Sequence, residues 1–492
     1  MSIGTEIDKL KDLTESAPLG SIELFAQMFV AEHGHEARYV PKWDAWMLWD
    51  GTRWKKDEQL QAFTMARRIC TREARKLNEE TLSRRIASGA TYNAVLQVAG
   101  SDPKIVAPHD IWDLDLWLLN TPIGTVDLRT GEITKHNPAY YITKITKVSP
   151  KNGECRVWRE HLKLVLGGDN DLIDYHQRLF GYAMTGFTKE KMFCFAHGEG
   201  NNGKSITFNS VSTIMGDYAQ SASIDTFTIL NNEQHPTGVA ALNGARLVIV
   251  SETEAGKMLK ESTIKLLTGG DKIKARFMRQ DEFEYQPQLT LIIFGNHKPS
   301  LRSVNEAIRS RIHFLPYTVK IENVDKHFGE KLMVEGEEIL HWMIEGAKIW
   351  HEEGLNPPQA VLDATEKYLA EQDKFQMFCD DYLDFGDKTA FTTTKIILKC
   401  QHDWAEQQNE WKMREKDLVE VMERKGCRYG RLRIKKAAIK NEDFSVFKYQ
   451  KKEWQAIWRN GWLKWHLLEP EHTLTKHAAE TRETPKTVYR RI

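Results

Sequence analysis

The sequence predicts an α/β fold with a phosphate-binding turn at its centre, and three observations predict it. Residues 198–205 read Gly-Glu-Gly-Asn-Asn-Gly-Lys-Ser, matching G-x-x-x-x-G-K-[ST] without a gap. An apolar run at 192–196 precedes the string, and 206–214 follows it with the apolar spacing of a helix. Two more apolar runs, 246–250 and 289–294, alternate with helical or loop segments as far as Pro316, the pattern of parallel strands with crossover connections.

The flanks read differently. Over 1–95 the pattern is mixed: an apolar helix at 21–31, an aromatic strand-like run at 39–54 that turns at Asp50-Gly51, then two basic helical stretches at 67–76 and around Arg84 and Arg85. Residues 100–185 hold short strands and turns, then helical periodicity over 158–166 and 173–184. After Pro316 the chain turns helical at 336–350, and Asn356-Pro357-Pro358 marks a linker. The remainder is helix-rich, basic and full of tryptophan.

Size and composition narrow the classes. With 492 residues the chain exceeds one ordinary core and divides into several domains. Hydrophobic residues make up 41% and charged residues 28%, which excludes disordered and fibrous classes. Lys plus Arg equals Asp plus Glu at 69 each, so any polyanion partner must be met by a local basic patch. Six scattered cysteines without a CxxC pair read as reduced thiols, neither a disulfide framework nor a zinc module. No apolar run approaches the roughly 20 residues of a membrane helix, and 1–11 has no signal core. The expectation is a cytoplasmic protein without a membrane partner.

In the 198–205 string, glycines let the backbone curl so that its N–H groups face phosphate oxygens. Gly198, Gly200, Asn202, Gly203 and Ile206 are the expected ATP-binding backbone, Lys204 reaches the β/γ-phosphates, and the Ser205 hydroxyl binds Mg²⁺. Phosphoryl transfer is mainly positioning and charge neutralisation, so an acidic partner is needed on a neighbouring strand. The 246–250 run leads into Ser-Glu-Thr-Glu; Glu252 is the first choice for metal and water, Glu254 the second. Asn296, at the tip of the 289–294 strand, is placed to sense the γ-phosphate. Arg309 and Arg311 precede the strand-like 312–315, where an arginine can enter a neighbouring subunit's site as a finger.

The order of these blocks resembles superfamily 3 helicases of the poxvirus and satellite-phage primase-helicase type. The matching strings are GEGNNGKS (198–205), LVIVSETE (247–254), LLTGGDKIKARF (266–277), IIFGNHKP (292–299) and RSRIHFLP (309–316), with WDLDLWLLNTPIGTVDLRTGEI (112–133) and RLFGYAMTG (178–186) upstream. The resemblance implies a hexameric, AAA+-like ring with ATP and Mg²⁺ between subunits, moving 3′ to 5′ on DNA. It assigns Glu252 the acid position, Asn296 the sensor and Arg311 the finger, with Arg309 as alternate. It also makes 271–288 a hairpin projecting into the ring's pore, with strand halves 272–277 and 282–285. Arg279 at its tip is the expected DNA contact, with Lys272, Lys274 and Arg276 beside it. One departure is that the acid block reads Ser-Glu rather than paired acids, which leaves the roles of Glu252 and Glu254 open.

The implied organisation is a mixed module (1–95), a helicase-associated amino-terminal domain (96–187), the AAA+-like P-loop ATPase (188–355), a winged-helix-like DNA-binding domain (356–440) and a basic, Trp-rich tail (441–492). In the fourth, Arg428, Arg431, Arg433, Lys435 and Lys436 supply positive charge. The tail's 474–492 reads either as a helix-turn-helix or as an ordinary amphipathic helix. Trp112-Asp113-Leu114-Asp115-Leu116 superficially resembles the paired-carboxylate metal strand of primases. Only about 110 residues precede it and no serine–histidine strand follows, so the expectation is a motor without its own primase, served by a separate primase or replisome proteins. The leading expectation is thus an ATP-dependent DNA helicase of a phage or mobile element, acting on single- and double-stranded DNA. Its alternative is a non-unwinding NTPase switch or initiator that binds origin DNA.

Overall fold

The structure, a computed structural model, describes residues 17–229, 237–252, 256–278, 281–301, 304–384, 394–408, 412–424, 427 and 466–467. Its contacts fall into two compact units, one up to Glu366 and one from Lys367. The division lies within helix Gln359–Gln372, past the Asn356-Pro357-Pro358 linker. That linker is tied down: Arg178 donates to the carbonyls of Leu355 (2.9 Å) and Asn356 (3.2 Å).

At the amino end of the first unit, Ser21 caps helix Ile22–His33 by accepting from the Leu24 N–H. Strands β1 (Ala37–Val40), β2 (Ala45–Trp49) and β3 (Trp54–Lys56) form an antiparallel sheet in that order. The β2–β3 turn is the expected one: Asp50 Oδ1 accepts from the N–H groups of Thr52 and Arg53. Helices Gln61–Ala74, Glu80–Ile86 and Gly89–Ala99 follow, and Phe25, Phe29, Leu48, Ala66, Ile69 and Val95 share one core.

Strands β4 (Leu118–Thr121), β5 (Gly124–Asp127) and β6 (Ile133–Thr134) make a second small antiparallel sheet. Buried Asn120 ties it to its surroundings. Its amide nitrogen donates to Thr52 O and Lys144 O, its Oδ1 accepts from Thr125 Oγ1, and its backbone N–H reaches the Tyr218 hydroxyl. Every polar atom of that side chain is satisfied, the condition for burying an amide at no net cost.

The central sheet contains β7 (Phe193–His197), β8 (Ala219–Ala222), β9 (Leu247–Glu252), β12 (Thr290–Gly295) and β13 (Ile312–Pro316), all parallel, in the order β13-β7-β12-β9-β8. Burial explains the order. All six residues of β12 are buried, as a strand flanked on both sides and covered on both faces must be, whereas edge strand β8 is half-exposed. Between β9 and β12 the chain forms an antiparallel hairpin of β10 (Ile273–Ala275) and β11 (Phe283–Tyr285). These strands are shorter than the expected halves, because only Ile273, Ala275 and Tyr285 bury side chains on its inner face.

Helices Arg156–Val165, Asn170–Thr185, Lys204–Met215 and Gly336–Glu353 pack on the sheet through one large core containing Trp158, Phe180, Phe208, Phe294 and Trp342. Two of these helices, Asn170–Thr185 and Gly336–Glu353, cross backbone to backbone. A Cβ on Gly181 would lie 2.1 Å from Ala347 N, and one on Gly346 would lie 2.0 Å from Gln177 O.

In the second unit, helices Lys374–Tyr382, Thr394–Gln408 and Glu415–Arg424 enclose a core of Phe378, Tyr382, Ile397, Trp404, Leu418 and Met422. Leu383–Asp384 pairs antiparallel with His466–Leu467. The basic cluster at 428–436 and the expected helix at 474–492 lie outside the described residues. All six cysteines are buried and none forms a disulfide among the described residues, where no helix is long and apolar enough to cross a membrane.

The helix crossing yields a test. Glycine in a helix interior costs about 1 kcal/mol relative to alanine, so on propensity alone Gly346→Ala should stabilise. The contact with the Gln177 carbonyl outweighs that gain, since overpacking against backbone costs on the order of 1–3 kcal/mol or more. Gly346→Ala is expected to lower the midpoint of thermal unfolding; a raised midpoint would refute the close crossing.

Candidate functional site

Parallel register brings the carboxyl ends of the strands to one edge. His197 ends β7 opposite Gly295 of β12, and Gly295 lies opposite Glu252, the last residue of β9. The 198–203 loop, Asn296 and Glu252 therefore leave the sheet side by side, at the edge where open α/β sheets bind ligands.

The loop needs its glycines. Gly200 and Gly203 sit at φ of 62° and 79°, with Asn201 at 46° between them. A Cβ on Gly198 would lie 1.9 Å from Asn202 Nδ2, and one on Gly203 would lie 2.3 Å from Val165 Cγ1. Helix Lys204–Met215 starts directly after the loop with no side-chain cap, so its first N–H groups point at the loop's concavity.

Lys204 is the buried cation of this edge. Its Nζ donates to Gly198 O (2.7 Å), Asn202 Oδ1 (2.7 Å) and Asn296 Oδ1 (3.3 Å). Asn296 Oδ1 also accepts from the Gly200 N–H at 3.2 Å, so the sensor amide bridges loop and lysine. Removal from water pulls the amine down to about 8. Among the described residues no carboxylate pairs with it, and an anionic phosphate is the group that would neutralise it. Ser205 is exposed one residue on, open to a metal ion.

Sequence reasoning missed what holds the loop from beneath. Asn202 Nδ2 donates to Tyr317 O (3.1 Å), which orients the amide so that its oxygen faces Lys204. The Tyr317 N–H returns to His197 O, and the Ile321 N–H reaches Asn201 O. On the other flank Thr207 Oγ1 donates to Gly203 O, so His161 Nε2 must be the donor to Thr207 Oγ1 at 2.8 Å. His176 Nδ1 donates to Leu172 O, leaving Nε2 to accept from the Tyr317 hydroxyl. A histidine six or seven residues into a helix carries no sequence mark of such a role.

The remaining expected residues fall elsewhere. Arg311 precedes β13, and β13 runs parallel to β7, so Arg311 lies at the opposite edge from the loop, one strand length (about 16 Å) away. Its Nη1 donates to Ala307 O, while its buried Nε has no partner among the described residues. Arg309 pairs with Glu366 at 2.6 Å. On the hairpin, Lys272, Lys274 and Arg276 are exposed on one face, alternating with buried Ile273 and Ala275. Arg279 and Glu254 lie outside the described residues. Asp113 and Asp115 serve the backbone: Asp113 accepts from the Thr143 N–H and hydroxyl, and Asp115 from the Trp117 N–H.

Residues 26–167 match the family described as D5 N terminal like, and 196–311 match a family of unknown function. Mimivirus putative helicase L207/L206 is 24% identical over 242 residues, covering 45% of this chain and 25% of that protein. Sputnik virophage putative helicase V13 is 26% identical over 280 residues, covering 51% and 35%. Over about half of its length the chain is thus similar to viral proteins named putative helicases. It spans only a quarter to about a third of the length of these relatives. Among solved structures, the NrS-1 C-terminal region superimposes with a TM-score of 0.46 at 10% identity, covering 73% of this chain and 80% of that one.

Three histidines, the buried His161 and His176 and the half-buried His313, are each held down to about 4 by loss of hydration. An unfolded chain takes up protons on them below about 6.5 while the fold refuses them until about 4. Stability is therefore full above pH 6.5 and is lost as pH falls from about 6.5 towards 4. Urea unfolding should show a loss on the order of several kcal/mol between pH 7 and pH 5; equal stability at both would contradict the neutral buried histidines.

Proposed function

We propose that this chain is an ATP-driven, ring-forming DNA helicase of the superfamily 3 type, working 3′ to 5′ in the replication of a phage or other mobile element. The observation that carries the reading is the division of the charged groups. Lys204, Asn296 and the glycine loop converge on one edge of the parallel sheet, while Arg311 waits at the opposite edge with an unpartnered Nε. A single copy cannot bring these groups together, but a neighbouring copy can.

In this reading the 198–203 N–H groups and the start of helix Lys204–Met215 hold the β- and γ-phosphates. Lys204 exchanges its Gly198 and Asn202 acceptors for phosphate oxygens, and Asn202 stays anchored on Tyr317. A Mg²⁺ ion held by Ser205 and Glu252 would supply charge neutralisation at those phosphates. Glu252, with Glu254 as the alternate, orients water at the end of β9. Asn296 contacts the γ-phosphate from the adjoining strand, so its hydrogen bond to Gly200 reports whether nucleotide is present. Arg311 of a neighbouring copy, with Arg309 as alternate, balances charge in the transition state. The exposed cations of the β10–β11 hairpin, with Arg279, grip the DNA backbone. A winged-helix, DNA-binding role for the second unit is supported by its three helices and small ladder.

Complementation in trans tests the reading. Lys204→Ala and Arg311→Ala should each lose ATP hydrolysis and strand displacement. Mixed in equal amounts, they should regain about a quarter of wild-type hydrolysis, since one interface in four then unites an intact Lys204 with an intact Arg311. A mixture as inactive as its parts would sink the shared site. Wild-type, DNA-stimulated hydrolysis without strand displacement would favour the switch or initiator instead.

A further inference from the structure

The two basic helical stretches near the amino terminus play no part in the site just described. The segment 61–86, which contains helices Gln61–Ala74 and Glu80–Ile86, carries seven Lys and Arg against three Glu, in a chain whose total charge is zero. Six of the seven cations are arginine, the residue whose fork fits phosphate oxygens. All seven are exposed, while Ala62, Ala66, Ile69, Cys70, Ala74 and Ile86 face the core.

Ion pairing is uneven. Arg72 is held by Glu32 and Glu73, Lys76 by Glu73, and Arg84 by Glu80. Arg67, Arg68, Arg75 and Arg85 have no carboxylate partner among the described residues. At about 100° per residue, Arg67, Arg68, Arg72 and Arg75 fall within an arc of roughly 140° on the first helix. The shorter helix packs beside it and contributes Arg85. The aromatic residues nearby, Phe63 and Tyr92, are turned into the core. Single-strand binding relies on exposed rings for base stacking, and this face offers charge without rings.

We propose that this arginine face is a second DNA surface, which binds the phosphate backbone of duplex DNA separately from the β10–β11 hairpin. A non-specific backbone contact of this kind would hold the duplex near the motor while the hairpin engages one strand. That DNA is the polyanion rests on the helicase reading; the free cationic face does not.

The test uses the full chain, with fluorescence anisotropy on a labelled duplex and a single strand of equal length. Replacing Arg67, Arg68, Arg75 and Arg85 by Ala should weaken duplex binding at least about tenfold near 0.1 M salt. It should also reduce the slope of log affinity against log salt by roughly three, near the release expected for four phosphate contacts. Single-strand affinity should change less than about twofold. The fourfold Arg→Lys variant should recover most duplex binding, and the pair Arg68→Gln and Arg75→Gln should give about half the slope change if the fourfold Ala variant does not fold. Unchanged duplex affinity and slope would overturn the proposal. So would a Lys variant as weak as the Ala variant, since charge would then not be what is lost. A wild-type protein that binds duplex through this face yet displaces no strand would sink the helicase reading and leave this surface standing.

Discussion

The ammonium of Lys204 sets the terms for the structure around it. A cation taken out of water without a carboxylate is costly unless oxygens surround it, and Gly198, Asn202 and Asn296 supply them from two different strand ends. Two of those oxygens belong to the loop itself, so the loop and its lysine hold each other in shape. The third belongs to the next strand, so the cage closes only if β7 and β12 are parallel and in register. Asn202 can face the lysine only because Tyr317, just past β13, occupies its other end. Three neighbouring strands are therefore committed to one amine.

The same economy ties the amino-terminal module to the sheet. Arg246, at the start of β9, is buried without a salt bridge among the described residues. It lies over the Tyr218 ring at 4.6 Å and donates to the carbonyls of Met184 and Leu118. Asn120 performs the matching task from the other side, joining Thr52, Lys144 and Tyr218. Backbone carbonyls are acceptors that do not titrate, so these contacts persist across pH. Each requires its segments at one relative placement, within the compact unit that runs to Glu366.

Much of the central region was legible because its signals are local. The apolar runs at 192–196, 246–250 and 289–294 became β7, β9 and β12 within a residue or two, since strands buried on both faces need little else to declare them. The Asp50-Gly51 turn and the Ser21 cap were legible for the same reason. The hairpin was legible in kind but not in length, because its pairing ends where burial ends. Gly181 and Gly346 carried no warning: a helical glycine is a weak position until another backbone is laid against it. His161 and His176 look like polar residues in apolar helices, and only the approach of Thr207 and Tyr317 gives them partners.

By itself the sequence determined the glycine-rich loop with its lysine, the strands that carry it and the cations that stay on the surface, because chain geometry and hydration act over a few residues. Only the tertiary structure decided strand order, and with it which groups share an edge. Register puts Asn296 against Lys204 and carries Arg311 to the far end of β13. That separation is a property of parallel pairing between distant segments, which no local pattern encodes.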